Sequence, residues 1–420
     1  MRICITAEHA SYKFGGEAVL PLHYFSRLRE RNIDVWLVVH SRTRGELEAL
    51  FPNDIDRLRF ISDTWLHKFL YRIGCYLPRR VSEMTVGMVS QLITQYEQRR
   101  VVLGLIAQER IDLVHQPIPV SPRYPSMMTK LGVPVVIGPM NGGMEYPPAF
   151  RNTESIISRM TIHLGRRVSN FVHSILSGKK YASVLLVANE RTRLALPSCA
   201  QGTVIELVEN GVDLDTWSLA ENLEPRQITK RFVFIGRLVD WKCVDMIIEA
   251  LCKVPDANLE IIGDGPMRAQ WQQLANELGI GHRVAFSGFL SQSECARRLN
   301  TAAALLLPSI YECGGAVVLE AMATGTPVIA TRWGGPADYL DDSSGILVET
   351  TSRAAVIEGF GKAMQFLLDS PELCQELGAN GRLRIQQHFD WQKKVDRILE
   401  IYAMAFSRFA GPLQGRSTAN

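Results

Sequence analysis

Short apolar segments alternate with longer amphipathic segments along most of this sequence. Near the start, the apolar run 2–6 precedes a loop with Gly15 and Gly16, an amphipathic stretch, and a second apolar run at 34–40. Strands that are apolar along their whole length are typical of parallel sheets, because helices cover both faces of such sheets. The pattern therefore predicts β–loop–α–β units and an α/β fold. Further strand candidates lie at 111–115, 133–138, 184–188 and 204–208.

The alternation is interrupted once and then starts again. Residues 213–230 are polar and irregular and include Pro225, a composition that indicates a linker. A chain of 420 residues also suits two domains better than one. We therefore predict two Rossmann-like, doubly wound parallel-sheet domains, with ligands at the carboxyl ends of their strands. The expected ranges are 1–213 for the first domain, 214–390 for the second, and a tail at 391–420 whose amphipathic helix returns to the first. The second domain has strand candidates at 232–235, 259–262, 284–286, 304–307, 328–330 and 346–348.

The composition is that of a soluble globular protein. Hydrophobic residues make up 46% of the chain and charged residues 21%, and no apolar run reaches the roughly 18–20 residues of a membrane-spanning helix. The eight cysteines form no CxxC pair and no zinc-binding spacing with histidine, so we expect reduced thiols in a cytoplasmic protein. The apolar run at the amino terminus is too short for a signal peptide.

One segment of the second domain combines glycines with two carboxylates. The strand at 304–307 ends in a loop with Glu312, Gly314 and Gly315, and a helix begins directly after them. The glycines allow the backbone to approach a ligand closely, and the amino terminus of the helix favours an anion such as a phosphate. Glu320 lies about one turn into the helix, at the same end. A binding site and a glycine turn with two solvated glutamates both fit these residues.

A second motif, from Gly236 to Lys242, also follows a strand directly. Arg237 and Lys242 lie five positions apart in a strand-to-helix loop. An Arg can bind a diphosphate in bidentate fashion, and a Lys adds a point charge. A diphosphate clamp and a solvated basic loop are both compatible with this motif taken alone.

Taken together, the motifs resemble those of the family 4 glycosyltransferases, and they occur in that family's order. The matching segments are Asn210-Gly-Val-Asp213, Arg237 to Lys242, Gly263-Asp-Gly-Pro266, and Glu312 followed by Glu320 after seven intervening residues. In the first domain, Gly15-Gly16 is the clearest match. The resemblance implies a GT-B fold, in which two Rossmann-like domains face a central cleft and the second binds most of a nucleotide-sugar donor.

The resemblance also implies a role for each matched residue. Arg237 and Lys242 would hold the donor diphosphate, and Glu312 would contact hydroxyls of the transferred sugar. Glu320 would bind the ribose hydroxyls, and the backbone N–H of Gly16 would reach the diphosphate. Family members retain the anomeric configuration, and two cations beside a helix terminus can stabilise the departing diphosphate, so we expect no metal and no other cofactor. The remaining donor-site positions are Gly236, Gly263, Gly288, Gly314 and Gly315, of which Gly263 and Gly288 would flank the nucleobase.

Two positions of the second domain differ from the family pattern, and one motif is misleading. Cys243 stands where a Gly is usual, and Gly314 stands where a Phe is common. Asp213 and Asp215 spell DxD, a metal-binding signature in the other large glycosyltransferase fold. Because Asp213 belongs to the Asn-Gly-Val-Asp turn, we expect no metal there.

The candidate sugar or acceptor residues of the first domain are less certain matches. Pro117 occupies the place where many members have a His that lines the sugar site, while His115 is kept. His115 fits either the sugar or acceptor site or a cap at the end of its strand. Asn141 and Gly142 follow the next strand and are expected to line the cleft, although an ordinary glycine turn also fits them.

Positive charge is concentrated in the first half of the chain. Residues 1–213 contain 26 Lys and Arg against 19 Asp and Glu. The stretches 64–82 and 155–181 contain no acid, and the former interleaves aromatic with basic residues, as interfacial anchors do. A core helix with a basic outer face and a single-stranded nucleic-acid groove share this composition. The glycosyltransferase resemblance favours peripheral contact with an anionic membrane and no nucleic-acid partner.

The sequence thus predicts a metal-independent retaining glycosyltransferase of the hexosyltransferase type. It would move a sugar from a nucleotide-sugar donor to a glycan or lipid-linked acceptor during biosynthesis of a cell-surface polysaccharide, such as exopolysaccharide or lipopolysaccharide. The expected location is the cytoplasm, with peripheral contact at the cytoplasmic membrane face. A non-catalytic GT-B protein that binds a sugar nucleotide, and a sugar-nucleotide epimerase, are the alternatives. The presence of Arg237, Lys242 and Glu312 argues for the enzyme.

Overall fold

The structure, a computed structural model, describes residues 1–14, 16–76, 86–153, 175–176, 178–218 and 229–410. The chain divides into two compact units, each built around one parallel β-sheet. The predicted α/β class with a parallel sheet in each half is confirmed. The first unit consists of Met1–Gly143, Arg159–Glu209 and Val395–Asn420, and the second of Met144–Ser158 and Asn210–Lys394.

Among the described residues, the sheet of the first unit has seven strands. They are β1 (Arg2–Thr6), β2 (Asp34–His40), β3 (Leu58–Ile61), β4 (Leu113–Gln116), β5 (Val135–Met140), β6 (Val184–Val187) and β7 (Thr203–Glu206). Their order is β3-β2-β1-β4-β5-β6-β7, and neighbouring strands pair in parallel. Winding reverses between β1 and β4, and the carboxyl ends at such a reversal are where ligands of open α/β sheets bind.

Helices cover the apolar strands of this sheet. Val102 and Leu105 of the fourth helix share one core cluster with Cys4 of β1 and Leu185 of β6. This burial explains why these strands are apolar along their whole length. The helices are α1 (Gly16–Glu30), α2 (Arg44–Leu50), α3 (Trp65–Gly74), α4 (Met88–Glu109), α5 (Gly178–Tyr181) and α6 (Glu190–Leu194).

The second unit repeats the architecture with six strands in its described part. They are β8 (Arg231–Ile235), β9 (Asn258–Ile262), β10 (Val284–Gly288), β11 (Leu305–Leu307), β12 (Val328–Thr331) and β13 (Ile346–Val348). Their order is β10-β9-β8-β11-β12-β13, again with parallel pairs, so winding reverses between β8 and β11. The helices are α7 (Val244–Leu251), α8 (Arg268–Glu277), α9 (Gln292–Asn300), α10 (Ala316–Ala323), α11 (Gly335–Tyr339), α12 (Arg353–Asp369), α13 (Pro371–Arg384) and α14 (Trp391–Ala410).

The observed unit boundaries differ from the predicted ranges 1–213 and 214–390. The segment that follows β5 packs on the second unit: the indole Nε1 of Trp333 donates to the carbonyl of Glu145 at 2.8 Å, and the rings of Tyr146 and Tyr311 lie 4.8 Å apart. The chain enters the second unit again at Asn210 and returns to the first at Val395, within α14.

Candidate active site

The loops at the carboxyl ends of β8, β9 and β10 approach one another at three glycines. The amide of Gly236 donates to the carbonyl of Ile262 at 3.0 Å, and the amide of Gly263 donates to the carbonyl of Gly288 at 2.7 Å. Gly263 has a φ of +127°, and a Cβ built there would lie 2.0 Å from the carbonyl oxygen of Gly236. No side chain fits at Gly263, so this close approach explains the glycine.

Lys242 and Glu312 meet at this end of the sheet. The Nζ of Lys242 forms an ion pair with the Glu312 carboxylate, and the two side chains are only 14% and 17% exposed. The amide of Ile310 donates to the carbonyl of Trp241 at 3.1 Å, which ties the two loops together. Residues 70 positions apart are thus brought into contact by neighbouring strands β8 and β11.

Arg237 lies in the same loop as Lys242 but is exposed. Its guanidinium has no hydrogen-bond or ion-pair partner within the part of the chain that the structure describes. The loop therefore offers one cation that a carboxylate neutralises and a second whose donors are available to an anion.

The backbone of Glu312 is held by two glycines that the sequence analysis did not single out. The amide of Gly335 donates to the carbonyl of Glu312 at 2.8 Å. Gly334 has a φ of +66°, and a Cβ there would lie 2.2 Å from the same carbonyl oxygen. A Cβ at Gly335 would lie 1.9 Å from the carbonyl oxygen of Gly314. The glycine pair directly after strand candidate 328–330, followed by a proline, was the available signal.

Gly315 and Glu320 belong to the start of α10. Gly315 caps this helix, and a Cβ there would lie 3.1 Å from the Cγ of Glu312. Burial raises the pKa of the Glu320 carboxyl to about 7, although part of its surface stays accessible. Burial and the charge of Glu320 together raise the pKa of the neighbouring Cys295 thiol to about 11. Glu320 therefore changes charge near neutral pH.

Cys243 occupies a backbone position that favours glycine. Its φ is +49° and its ψ +40°, the left-handed region, and its side chain is buried with Sγ 3.4 Å from the carbonyl oxygen of Asp240. Burial, reinforced by the charge of Asp245, raises the pKa of this thiol to about 12. The departure from the family pattern thus places an uncharged side chain in a strained conformation.

The Asn210–Asp213 motif has a structural role in the second unit. The amide nitrogen Nδ2 of Asn210 donates to the hydroxyl of Tyr339 at 3.0 Å, and a Cβ at Gly211 would lie 3.0 Å from the Trp391 ring. Val212 forms a β-bridge with Asp390. The motif therefore packs against the segment that leads into α14.

The carboxylate of Asp213 binds its own turn. It accepts from the amide of Asp215 at 3.2 Å and from the hydroxyl of Thr216 at 3.3 Å. Across the described ranges, no three His, Cys, Asp or Glu side chains group together as metal ligands.

In the first unit, His115 lies in the core rather than on a surface. It is 0% exposed. Its Nε2 donates to the carbonyl of Gly138 at 2.6 Å, and its Nδ1 accepts from the hydroxyl of Tyr402 at 2.6 Å. With both ring nitrogens bonded, His115 connects β4, β5 and α14, which is the geometry of a structural side chain.

Asn141 and Gly142 are also tied to their own unit. The Asn141 amide donates to Glu209 at 2.8 Å, and the Gly142 amide donates to the hydroxyl of Thr192 at 3.0 Å. A Cβ at Gly142 would lie 2.5 Å from the ring of Pro122. Local packing therefore explains this glycine without a ligand.

Gly16 differs, because none of the described residues lies close enough to exclude a side chain there. A Cβ there would meet no atom within 4 Å. Gly16 lines a cavity of about 350 Å³ at the carboxyl end of β1, together with Glu8, His9 and Glu17. The Nε2 of His9 lies 3.4 Å from the Glu8 carboxylate. Two carboxylates and an imidazole therefore share this cavity with apolar side chains such as Phe14 and Ile118.

The segment 64–82 is described as far as residue 76, and most of it forms α3. His67 is buried, whereas Trp65 is 76% and Tyr71 75% exposed. Aromatic and basic side chains thus share the outer face of this helix, and it is not a core helix with only a basic edge. Residues 77–82, 155–174 and 177 of the two predicted membrane-contact stretches lie outside the described residues. Within the described ranges, no helix is both long and apolar enough to cross a membrane.

Two parallel-sheet α/β units with this loop geometry define the GT-B glycosyltransferase fold, and solved structures share it. Sucrose-phosphate synthase from Thermosynechococcus elongatus matches at 18% identity with a TM-score of 0.68, over 97% of this chain and 100% of that one. Anabaena HepE in complex with UDP matches at 15% identity with a TM-score of 0.67, over 96% and 100%. At such identities the likeness shows the fold, and the predicted GT-B fold is confirmed.

One part of the sequence, in the second unit, matches a protein family. Residues 215–384 match the model of the glycosyl transferases group 1. The glycogen synthase of Mycobacterium tuberculosis is 30% identical over 222 residues, 52% of this chain and 52% of that protein. The lipopolysaccharide core biosynthesis glycosyltransferase LpsE of Rhizobium meliloti is 31% identical over 170 residues, 40% and 48%. The chain spans about half the length of the curated relatives it matches. These matches place the second unit in the glycosyl transferases group 1 family.

Proposed function

We propose that this protein is a metal-independent retaining glycosyltransferase of the hexosyltransferase type, with the motif pattern of family 4. It moves a sugar from a nucleotide-sugar donor to a glycan or lipid-linked acceptor in cell-surface polysaccharide biosynthesis. The observation that carries this proposal is the Lys242–Glu312 ion pair beside the unpartnered Arg237, on a unit of the group 1 family.

The negative charge of the leaving group explains why two cations lie in this loop. As the bond from the sugar C1 to the diphosphate oxygen breaks, negative charge collects on the nucleoside diphosphate. Arg237 and Lys242 stabilise that charge together with the amino terminus of α10. The acceptor hydroxyl attacks C1 on the face that the diphosphate leaves, and its proton passes to the departing phosphate oxygen. The anomeric configuration is then retained.

Glu312 has two tasks in this scheme. Without donor it neutralises Lys242. When an anionic diphosphate attracts Lys242, the Glu312 carboxylate becomes available to accept hydrogen bonds from hydroxyls of the transferred sugar. Glu320 binds the ribose hydroxyls in the same way, as an acceptor when ionised.

The first unit supplies the acceptor site. The cavity beside Gly16 presents the carboxylates of Glu8 and Glu17. Carboxylates accept hydrogen bonds from sugar hydroxyls, while the backbone N–H of Gly16 keeps its expected role toward the donor diphosphate. This cavity therefore suits the uncharged hydroxyl-bearing end of an acceptor.

Two relatives support the choice of substrates. LpsE is named for lipopolysaccharide core biosynthesis, which favours a cell-surface glycan. HepE was solved with UDP and with UDP-glucose, so UDP-sugars are the first donors to test.

The test has two stages. UDP-, GDP- and ADP-sugars are first screened for thermal stabilisation, because a ligand that binds only the folded state raises its apparent stability. Nucleoside diphosphate release is then measured with and without glycan acceptors. A glycosyltransferase releases the diphosphate when acceptor is added, a binding protein is stabilised without release, and an epimerase converts the donor without acceptor.

Metal dependence is tested separately. EDTA should change turnover little, whereas a strict metal requirement would restore Asp213 and Asp215 as candidate metal ligands. Absence of stabilisation by every sugar nucleotide would contradict the proposal.

A further inference from the structure

An apolar groove runs between α3 and α4 in the first unit. It encloses about 440 Å³, a volume in the range of small-ligand sites. Nearly all of its lining is hydrocarbon or aromatic. From α3 it is lined by Trp65 and Leu66, and from α4 by Val89, Leu92, Ile93 and Tyr96.

Two of the polar side chains that line the groove, Thr64 and Glu97, already have partners. The hydroxyl of Thr64 interacts with the Nδ1 of His67 at 2.8 Å, where it caps α3. Glu97 forms an ion pair with Arg100 at 3.3 Å. A ligand in this groove gains apolar contact and little hydrogen bonding, which selects a hydrocarbon over a sugar or a nucleotide.

Among the described residues the groove is open, and two aromatic side chains and a valine stand at its edge. Trp65 is 76% exposed, Tyr96 52% and Val89 43%. Leaving such side chains in water is unfavourable, and exposed apolar patches of this kind mark interaction surfaces.

Two cations lie on the same side of α3 as Trp65, which lines the groove. Lys68 follows Trp65 by three positions and Arg72 follows Lys68 by four, so the three side chains share one side of α3. Both cations are exposed, and neither has an ion-pair partner among the described residues. An anionic headgroup would find Lys68 and Arg72 next to the mouth of an apolar groove.

We propose that this groove holds one acyl chain of an anionic membrane phospholipid, whose phosphate is bound by Lys68 and Arg72. The inference rests on the lipid-linked acceptor of the proposed function and deepens the membrane contact expected from the sequence, because it assigns a lipid-chain site rather than a flat docking face. Chain insertion removes the groove lining from water, and the phosphate fixes the lipid at the groove mouth.

The test uses lyso-phosphatidylglycerol as a monomer, with chains of eight, ten and twelve carbons. Isothermal titration should show saturable binding, and each added methylene should tighten it by up to about fourfold, the ratio that corresponds to about 0.8 kcal/mol. Glycerol phosphate, which has the headgroup without the chain, should not bind measurably at the same concentrations.

A double variant in the groove and a matched double variant outside it test where the lipid binds. Val89→Gln with Tyr96→Gln makes the groove edge polar at positions that are already exposed, so folding should persist, and binding should weaken at least tenfold. The matched control, Tyr181→Gln with Leu194→Gln, changes two comparably exposed apolar side chains outside the groove and should leave binding unchanged.

The outcomes separate this site from the rest of the proposed function. Binding that ignores chain length, or that survives the groove variant in a protein with an unchanged melting temperature, overturns the acyl-chain site. If anionic vesicles bind while monomeric lyso-lipid does not, the acyl-chain site is likewise wrong and surface docking stands alone. Donor stabilisation by sugar nucleotides reports on the second unit and fails or succeeds independently of all these measurements.

Discussion

Lys242 and Glu312 form an ion pair in which each side chain is less than a fifth exposed. The two residues come from loops after β8 and β11, the strands between which the winding of the second sheet reverses. A cation held this way is fixed in place before any anion arrives, so little reorganisation is needed when the diphosphate binds. Because the two side chains carry opposite charges, their replacement should have different effects on the binding of an anionic diphosphate.

Replacing the cation should remove stabilisation of the leaving group. We expect Lys242→Ala to lower turnover about 10²–10³-fold, as loss of one preorganised donor does. Turnover of nucleotide-sugar with a saturating acceptor is the measurement. Lys253→Ala is the matched control, since Lys253 pairs with Glu358 on the exposed surface of the same unit. Turnover of Lys242→Ala within twofold of the parent would remove Lys242 from the mechanism.

Replacing the carboxylate should separate binding from turnover. Glu312→Gln removes a negative charge next to the diphosphate site, so UDP should bind about fivefold more tightly, which corresponds to about 1 kcal/mol of relieved repulsion. Turnover should nevertheless fall at least tenfold, because the sugar loses a charged hydrogen-bond acceptor. Titration calorimetry with UDP measures the first effect. Weaker UDP binding would instead show that Glu312 mainly positions Lys242.

Glu320 should make stability depend on pH. Its pKa is raised from about 4.3 in an unfolded chain to about 7 in the fold. The folded state therefore holds this proton more tightly, and the resulting stability is full below about pH 4.3 and is lost as the pH rises through about 7. Glu320→Gln abolishes this loss, so its free energy of unfolding should exceed the parent's by on the order of 2 kcal/mol more at pH 8 than at pH 4.

Urea unfolding at both pH values measures this difference. Glu372→Gln, at an exposed position of α13, is the control and should show no such pH-dependent gain. A parent and Glu320→Gln that change in parallel with pH would mean that the Glu320 carboxyl is ionised normally.

Cys243 allows a direct measurement of backbone strain. A left-handed φ costs an L-residue roughly 1–2 kcal/mol, and glycine avoids this cost. Cys243→Gly and Cys243→Ala both remove the buried thiol, but only the former relieves the strain. We expect the Gly variant to be more stable than the Ala variant by roughly 1 kcal/mol. If the Ala variant is equally stable, the loop relaxes to a right-handed conformation.

The sequence was sufficient to predict those features whose physical signal lies within one short segment. Apolar runs such as 34–40 and 328–330 correspond to strands because a strand covered on both faces must be apolar throughout. The sequence also placed Lys242 and Glu312 in loops that follow two strands of the second domain, but it did not predict the ion pair between them.

The features that the sequence did not predict depend on packing between residues that are far apart in the chain. His115 could not be recognised as a core side chain, because its partner Tyr402 is 287 positions away. Gly334 and Gly335 were not singled out from the sequence, because the 312–314 backbone that they contact lies about 20 positions away. The segment after β5 joins the second unit through Trp333 and Tyr311, which no local pattern in either segment reveals.

The exposed face of α3 leads to the last prediction, binding to anionic membranes. Trp65, Phe69 and Tyr71 are each more than half exposed on a helix without acidic residues, and Lys68 and Arg72 stand among them. Each cation near an anionic leaflet contributes about 1 kcal/mol, and aromatic insertion adds to this. We therefore expect the protein to co-sediment with phosphatidylglycerol vesicles at low salt and to be released at high salt, because salt screens the attraction.

Charge removal on α3 tests whether this face is the one that binds. Lys68→Ser with Arg72→Ser should weaken vesicle binding by about 2 kcal/mol, roughly thirtyfold, and Arg79 and Arg80, outside the described residues, should add to the effect. Arg193→Ser with Arg397→Ser removes two exposed charges elsewhere in the first unit, so the net charge falls equally while binding should persist. Hydrolysis of donor by water should be the same in all these variants, because the donor is bound by the second unit. If the parent does not bind anionic vesicles at low salt, the membrane prediction is wrong, and a soluble glycan is the acceptor to test next.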